Sequence, residues 1–375
     1  MPPSVIVCGA GAFGAATARQ LAHEGWEVTL VEPVAAGHVR AGSGGESRLI
    51  RCSHGDDAWH ARSARRALEL WREIDPGLVV EAGVAWFARR PDGWEAASEA
   101  TLLELDIACE RVDPETLFPS VRTDDLAFTL FESDAGILRA RDATRTLAVQ
   151  AVAAGARVIN AAARPDGARV LAGEDVLEAD HVVWACGAWL PQLFGELLSL
   201  RITQQDVLFF GAGAAWTTPP VPGWVDYDGA FYGVGDLDGR GVKVSPDVEG
   251  PPIDVEAADR VVLPEHVAAA RAYVAMRFPQ LDGAPLVGTR VCQYEITSDT
   301  RFVIAPHPEH PTVWLMGGGS GHGFKHAPAL AERMSAWLTG ADAPEPRFAL
   351  GERASDTALR TAGEASSSPL ATRRS

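Results

Sequence analysis

Three strand-to-glycine elements, near the start, the middle and the end of the chain, predict an α/β fold. It is a Rossmann-like dinucleotide-binding domain assembled from separated segments, with a second, α+β domain built on its own β-sheet. The first element is explicit. Ser4 to Cys8 (SVIVC) is a short β-branched run that enters Gly9-Ala10-Gly11-Ala12-Phe13-Gly14, then the helix-like AATARQLAHEG and a second strand, WEVTLVE, ending at Glu32. Gly9 permits the tight turn, Gly11 lets a pyrophosphate approach the backbone, and Gly14 allows the helix to lie close on the sheet. The helix N-terminus offers free N–H donors to phosphates, and Glu32 can accept from ribose hydroxyls. Cys8 belongs to the strand and to the core.

The second element, HVVWACGAWLPQL from His181 to Leu193, carries Gly187 in its turn. The third, TVWLMGGGSGHGFKHAPALAERMSAWLTG from Thr312 to Gly340, carries Gly319, Gly321 and Gly323. A nicotinamide domain placed first in the chain does not predict such dispersal. The reading assigns residues 1–78, 143–200 and 295–341 to the dinucleotide domain. Residues 79–142 and 201–294, richer in strand signals (LVVEAGVAWFA, GAFYGVGD, GVKVSPD), form a sheet that roofs the ligand. Asp57 to Ile74 reads as an amphipathic helix with Leu68, Trp71 and Ile74 inward and Arg65, Arg66 and Arg72 in solvent. Residues 342–375 form a tail. Beyond about Phe348 it is too poor in large apolar side chains to offset its ordering entropy, and its end is read as disordered.

Composition narrows the function. With 375 residues, 47% hydrophobic and 22% charged, the chain can bury a large core and a cofactor. Its 33 basic and 50 acidic side chains leave a net charge of −17, a field that repels nucleic acid and anionic lipid. The five cysteines are odd in number and scattered, which fits a reducing cytoplasm and neither a disulfide framework nor a metal site. No 18-residue apolar run and no basic lead-in at the N-terminus predict a membrane span or export.

Taken together, the motifs resemble the FAD-dependent amine oxidases of the D-amino acid oxidase superfamily, in particular the monomeric sarcosine oxidase and N-methyltryptophan oxidase group, over about residues 4 to 340. The resemblance rests on the N-terminal fingerprint, Ser47-Arg48-Leu49-Ile50-Arg51, and GVKV around Lys243. It rests most specifically on Arg290-Val291-Cys292-Gln293-Tyr294 followed by Asp299 and Phe302, and on Ser320-Gly321-His322-Gly323-Phe324-Lys325. It implies FAD, held by Gly9, Gly11, Gly14, Glu32, Ser47, Gly187, Gly319, Gly321, His322, Gly323 and Lys325. Cys292 matches the cysteine that carries the flavin as an 8α thioether; the residues alone favour a buried strand cysteine, and the resemblance implies the attachment. Arg51 and Lys325 match the pair that grips a substrate carboxylate, against the ordinary alternative of surface ion pairs. Lys243 matches the lysine that assists oxygen reduction, Arg48 a group tuning the flavin, and Tyr232 a pocket tyrosine. A solvent-facing lysine, a structural ion pair and a core ring are the respective alternatives.

The activity so implied takes hydride from the carbon next to the nitrogen of a secondary, N-methyl or cyclic, amino or imino acid to flavin N5. Oxygen then reoxidises the flavin, giving an imine and hydrogen peroxide, in a protein acting as a monomer on small molecules. A superfamily enzyme with non-covalent FAD, such as a glycine oxidase or an amino acid dehydrogenase, and a flavoprotein subunit of a larger complex are the alternatives. Two departures bear on the substrate: Gly44 and Asp247 stand where the close relatives carry pocket histidines. Trp216 and Trp224, in the expected roof, suit a bulkier or cyclic amine, or are core.

Overall fold

The structure is a computed structural model in which residues 1–256, 259–351 and 353 are described. The disordered end expected of the tail lies outside the described residues. The central sheet has six strands in the order Val303–Pro306, Val313–Gly317, His181–Trp184, Ser4–Cys8, Glu27–Val31, Arg157–Ile159. All neighbours are parallel except the first pair. The three glycine-terminated strands of the sequence are therefore adjacent, and their carboxyl ends, with the glycine turns that follow, open on one crevice.

Alternation along the strands explains the layers. Val5, Val7, Val28 and Leu30 face one side and pack with the helices Ala12–His23, Ala58–Ile74, Ala140–Ala153 and Ala327–Leu338. Ile6, Cys8, Val31 and Val182 face the other, against Val170 and Ala172 of a three-stranded antiparallel sheet, Ala163–Asp166, Arg169–Ala172 and Asp175–Leu177. In helix Ala58–Ile74 the Asp57 side chain accepts from the His60 N–H at the N-cap, and Leu68, Trp71 and Ile74 are buried as their spacing predicts. Arg65 and Arg66 are exposed, whereas Arg72 is half-buried and paired with Glu81. The segment after the last glycine loop begins with a 3₁₀ turn, Phe324–His326, before the α-helix starts at Ala327, so Lys325 stands in the turn and not in the helix proper.

The second sheet has eight strands in the order Leu286–Ile296, Arg201–Phe210, Val242–Pro246, Phe231–Val234, Gly223–Asp226, Val84–Ala88, Phe128–Glu132, Glu110–Arg111. One face is covered by helix Pro264–Arg277. Trp216 and Trp224 are buried there among Phe87, Tyr273 and Phe278. They are core, which removes them as evidence for a bulky substrate. At the same place Asp226, fully buried, accepts from Arg89, Tyr273, Arg277 and the Gly229 N–H, so its charge is neutralised and hydrogen-bonded. A small sheet of Ser47–Ile50, Gly136–Arg139 and Val79–Val80 lies between the two large ones in sequence.

The glycine fingerprint is enforced by contact. A Cβ built on Gly14 would lie 1.9 Å from the Gly9 carbonyl oxygen and 3.2 Å from the Ala185 Cβ, so the helix reaches the sheet only without a side chain. Gly14→Ala is therefore expected to push the helix off the strands, and the purified variant should carry little bound flavin and melt well below the parent. Flavin absorbance per chain and a thermal melt check both.

Candidate active site

A cavity of about 580 Å³ runs along the carboxyl ends of the parallel strands. Of the residues expected to hold the cofactor, Gly9, Gly11, Glu32, Gly187, Gly319, Gly321 and Gly323 line it, as does Arg48. Gly11 caps helix Ala12–His23 without a side-chain hydrogen bond, and a Cβ there would meet only Ser43 Oγ at 3.6 Å, so the helix N-terminus is open to an anion. Glu32 is fixed by N–H groups of Ala10 at 2.8 Å and Val34 at 3.1 Å. Cavity, open helix end and anchored carboxylate fit a dinucleotide.

Other expected residues fall elsewhere. Gly14 packs under the turn and does not line the cavity. His322, expected at the cofactor, is turned behind the loop, where Nε2 donates to the Thr300 carbonyl at 2.7 Å and the ring stacks on Phe302. Cys292 lies on the long strand opposite Gln205 and is itself off the cavity wall. Its sulfur is 3.7 Å from the Gly42 carbonyl oxygen and 3.7 Å from an Arg48 nitrogen, and both of those residues line the cavity.

Arg48, Lys243, Arg51 and Lys325 form the most unusual feature. Their side chains are buried or half-buried, yet none has a carboxylate at ion-pair distance among the described residues. Arg48 donates to the carbonyls of Ser47 at 2.7 Å and Gly42 at 2.6 Å. Lys243 donates to the Ser47 carbonyl at 3.3 Å, which places it beside Arg48, and sits 5.1 Å from the centre of the Tyr232 ring. Arg51 donates to the Ser53 carbonyl and lies over Trp86, and Lys325 donates to the His322 carbonyl at 2.9 Å. Burial, with Arg48 alongside, pushes Lys243 down to about 7. Burial also lowers Arg51 to about 10 and, with Arg51 adding to it, holds Lys325 well below the usual lysine range. The Tyr232 and Tyr294 hydroxyls are 3.4 Å apart, and burial followed by Tyr232 raises Tyr294 well above an ordinary phenol.

Three features were not read from the sequence. Glu295, one residue beyond the RVCQY run, lines the cavity, and burial lifts its carboxyl to about 7; its position next to Tyr294 was the available signal. His38 lines the cavity, whereas Gly44 is locked out of it, since a Cβ at Gly44 would lie 1.9 Å from the His38 carbonyl oxygen. A histidine at that position is incompatible with this backbone. Asp247 follows strand Val242–Pro246, half-buried, with its N–H on the Ala230 carbonyl. Finally, His54, His60, His322 and His326 pack together with Phe302 and Phe348, all four histidines buried. Two of them fall outside any motif and could not be brought together from spacing.

Crevice, glycine turns and open helix end define an α/β protein that binds a dinucleotide across the ends of parallel strands. The model of the FAD dependent oxidoreductase family, DAO, matches residues 4–337, and the chain belongs to that family. It is 31% identical over 353 residues to the monomeric sarcosine oxidase of Streptomyces avermitilis, across 88% of this chain and 91% of that protein. It is 28% identical to the monomeric sarcosine oxidase of Bacillus sp. strain B-0618, across 88% and 90%. Among solved structures, L-proline dehydrogenase from P. horikoshii shares the fold, with a TM-score of 0.80 over 93% of this chain and 96% of that one at 19% identity. Among the described residues no helix is long and apolar enough to cross a membrane.

The depressed Lys243 predicts a pH dependence of stability. Between about 7 and 10.5 the unfolded chain holds a proton on this lysine that the folded chain has lost, so stability rises with pH across that window. Urea midpoints of the flavin-free protein should rise there more steeply than those of Lys243→Met, and equal slopes would remove the buried charge as the cause.

Proposed function

We propose that the protein is an FAD-dependent oxidase of secondary amines that carry a carboxylate, N-methyl or cyclic amino acids, and that it yields an imine and hydrogen peroxide. The observation that supports this most is a set of four buried or half-buried cations, Arg48 on the cavity wall with Lys243 beside it, and Arg51 and Lys325, whose hydrogen-bond partners are carbonyl groups and a sulfur. Cations held out of water without a counter-ion stabilise an anion that enters among them. FAD, once bound, supplies the two-electron acceptor that takes up hydride and returns the electrons to oxygen.

Arg51 and Lys325 grip the carboxylate and so orient the neighbouring C–H bond. Tyr232 closes the pocket on the Lys243 side. Tyr294, held neutral, is a hydrogen-bond partner and not a base, and the amine enters unprotonated. Lys243, with Arg48 beside it, stabilises the negative charge that develops as oxygen is reduced. Gly187, Gly319, Gly321 and Gly323 on the cavity wall hold the cofactor, with Ser47 off that wall and bonded through its carbonyl to Arg48. Cys292, whose sulfur touches two residues of the cavity wall, would hold the flavin as an 8α thioether, the thiol and 8α-carbon hydrogens leaving as protons and the two electrons passing through the flavin to oxygen. The five cysteines are all free thiols, which supports action in the reducing cytoplasm, and the likeness to monomeric sarcosine oxidases supports action as a monomer.

Anaerobic addition of N-methyl and cyclic amino acids should bleach the flavin, and air should restore it with stoichiometric peroxide. Bleaching that oxygen does not reverse would make the protein a dehydrogenase. Lys325→Met should raise KM for such substrates by roughly 10- to 150-fold, the about 1.5–3 kcal/mol of a hydrogen bond to a charged group. An unchanged KM would exclude Lys325 from the clamp. Acid denaturation should leave the yellow colour on the precipitated wild-type chain and release it to the supernatant from Cys292→Ser. Release from both would mean that the flavin is not covalently held.

A further inference from the structure

The four buried histidines lie outside the cavity and take no part in the chemistry proposed above. One nitrogen from each of His54, His322 and His326 lies within 4.8 Å of those of the other two. Each of these rings is fixed by its other nitrogen: His54 Nδ1 to the Cys52 carbonyl at 2.9 Å, His322 Nε2 to the Thr300 carbonyl at 2.7 Å, and His326 Nδ1 to Ser63 Oγ at 3.0 Å. A carbonyl only accepts, so in His54 and His322 the bonded nitrogen carries the hydrogen and the opposite nitrogen bears a lone pair. Those opposite nitrogens, His54 Nε2 and His322 Nδ1, together with His326 Nε2, have no protein partner and are shielded from solvent. Relative exposures of 1%, 6% and 0% keep the three residues out of contact with bulk solvent. His60 closes the group, its ring 5.4 Å from those of His54 and His322 and its Nδ1 3.2 Å from the Asp57 carboxylate.

From this arrangement we propose that His54, His322 and His326 bind a late first-row transition-metal ion, zinc foremost. Unpartnered imidazole nitrogens in a dry interior, with the outer nitrogens tied to backbone or hydroxyl oxygen and one nitrogen of each ring within 4.8 Å of the others, are the arrangement in which histidine ligates a metal. The donor set is all imidazole and holds no carboxylate or carbonyl oxygen, which disfavours magnesium and calcium. A tetrahedral ion with bonds of about 2.0–2.1 Å needs its nitrogens roughly 3.3–3.5 Å apart, so binding requires the three rings to close in on the ion. The ion is structural. It ties the segment just after Arg51 to the glycine loop and the turn that carries Lys325, and so fixes the spacing of those two cations from behind.

The test does not depend on amine oxidation. Untagged chain is produced in medium supplemented with Zn²⁺ or Co²⁺, passed through a chelating column, and analysed for metal and flavin. About one equivalent of metal per chain is expected, and the Co²⁺ form should show ligand-field absorption to the red of the flavin bands. His54→Phe and His326→Phe, which keep an aromatic ring in the cluster, should each lose metal by roughly tenfold or more while retaining flavin. Wild-type chain with only trace metal from both media overturns the proposal whatever the variants do, and leaves a buried water between the rings. Full metal content in both variants overturns it equally.

Discussion

The junction where one strand leaves the antiparallel sheet and ends against the glycine loop of the other sheet governs everything else in the site. Strand Leu286–Ile296 pairs along its length with Arg201–Phe210, and at its far end the Glu295 carbonyl accepts from the Ser320 N–H at 3.1 Å. Gln293 reaches the Arg40 carbonyl at 2.5 Å, and Thr297 meets Ser320. Through these bonds the roof is held in register with the crevice floor. Cys292 thereby lands beside Gly42 and Arg48, and Glu295 beside Gly319. A shift of one residue would turn Cys292 to the opposite face of its sheet.

Around that junction the protein keeps charge under tension. Asp226 shows the usual solution to a buried ion, with every oxygen bonded to a cation, a hydroxyl or an N–H. Arg48, Arg51, Lys243 and Lys325 do not follow it, and the depressed lysines record the cost. The contrast within one chain argues that the second arrangement is retained for what it can bind, since the same fold satisfies its buried acid in full a short distance away.

Much of this was legible in the sequence because it is local. SVIVC, the three glycines and Glu32 specify strand, turn, helix and acid within one βαβ unit, and periodicity alone places Leu68, Trp71 and Ile74 inside. Lys243 and Arg48 could be expected side by side from motifs, and they share the Ser47 carbonyl. What stayed hidden depends on long-range packing. Trp216 and Trp224 are core because helix Pro264–Arg277 lies on them, Gly44 is excluded from the cavity by the winding of its own loop, and His322 faces away because Phe302 and Thr300 take its ring. The histidine group draws on distant parts of the chain, and no short-range pattern announces it.

The assembly of the crevice from dispersed stretches has a consequence for biosynthesis. Gly9, Gly187 and Gly319 line one cavity, yet they leave the ribosome at widely separated times. A nascent chain therefore has no complete nucleotide pocket until the loop of residues 319–323 has been made. Chains that stop short of that loop are left without the ligand that would stabilise them against proteolysis.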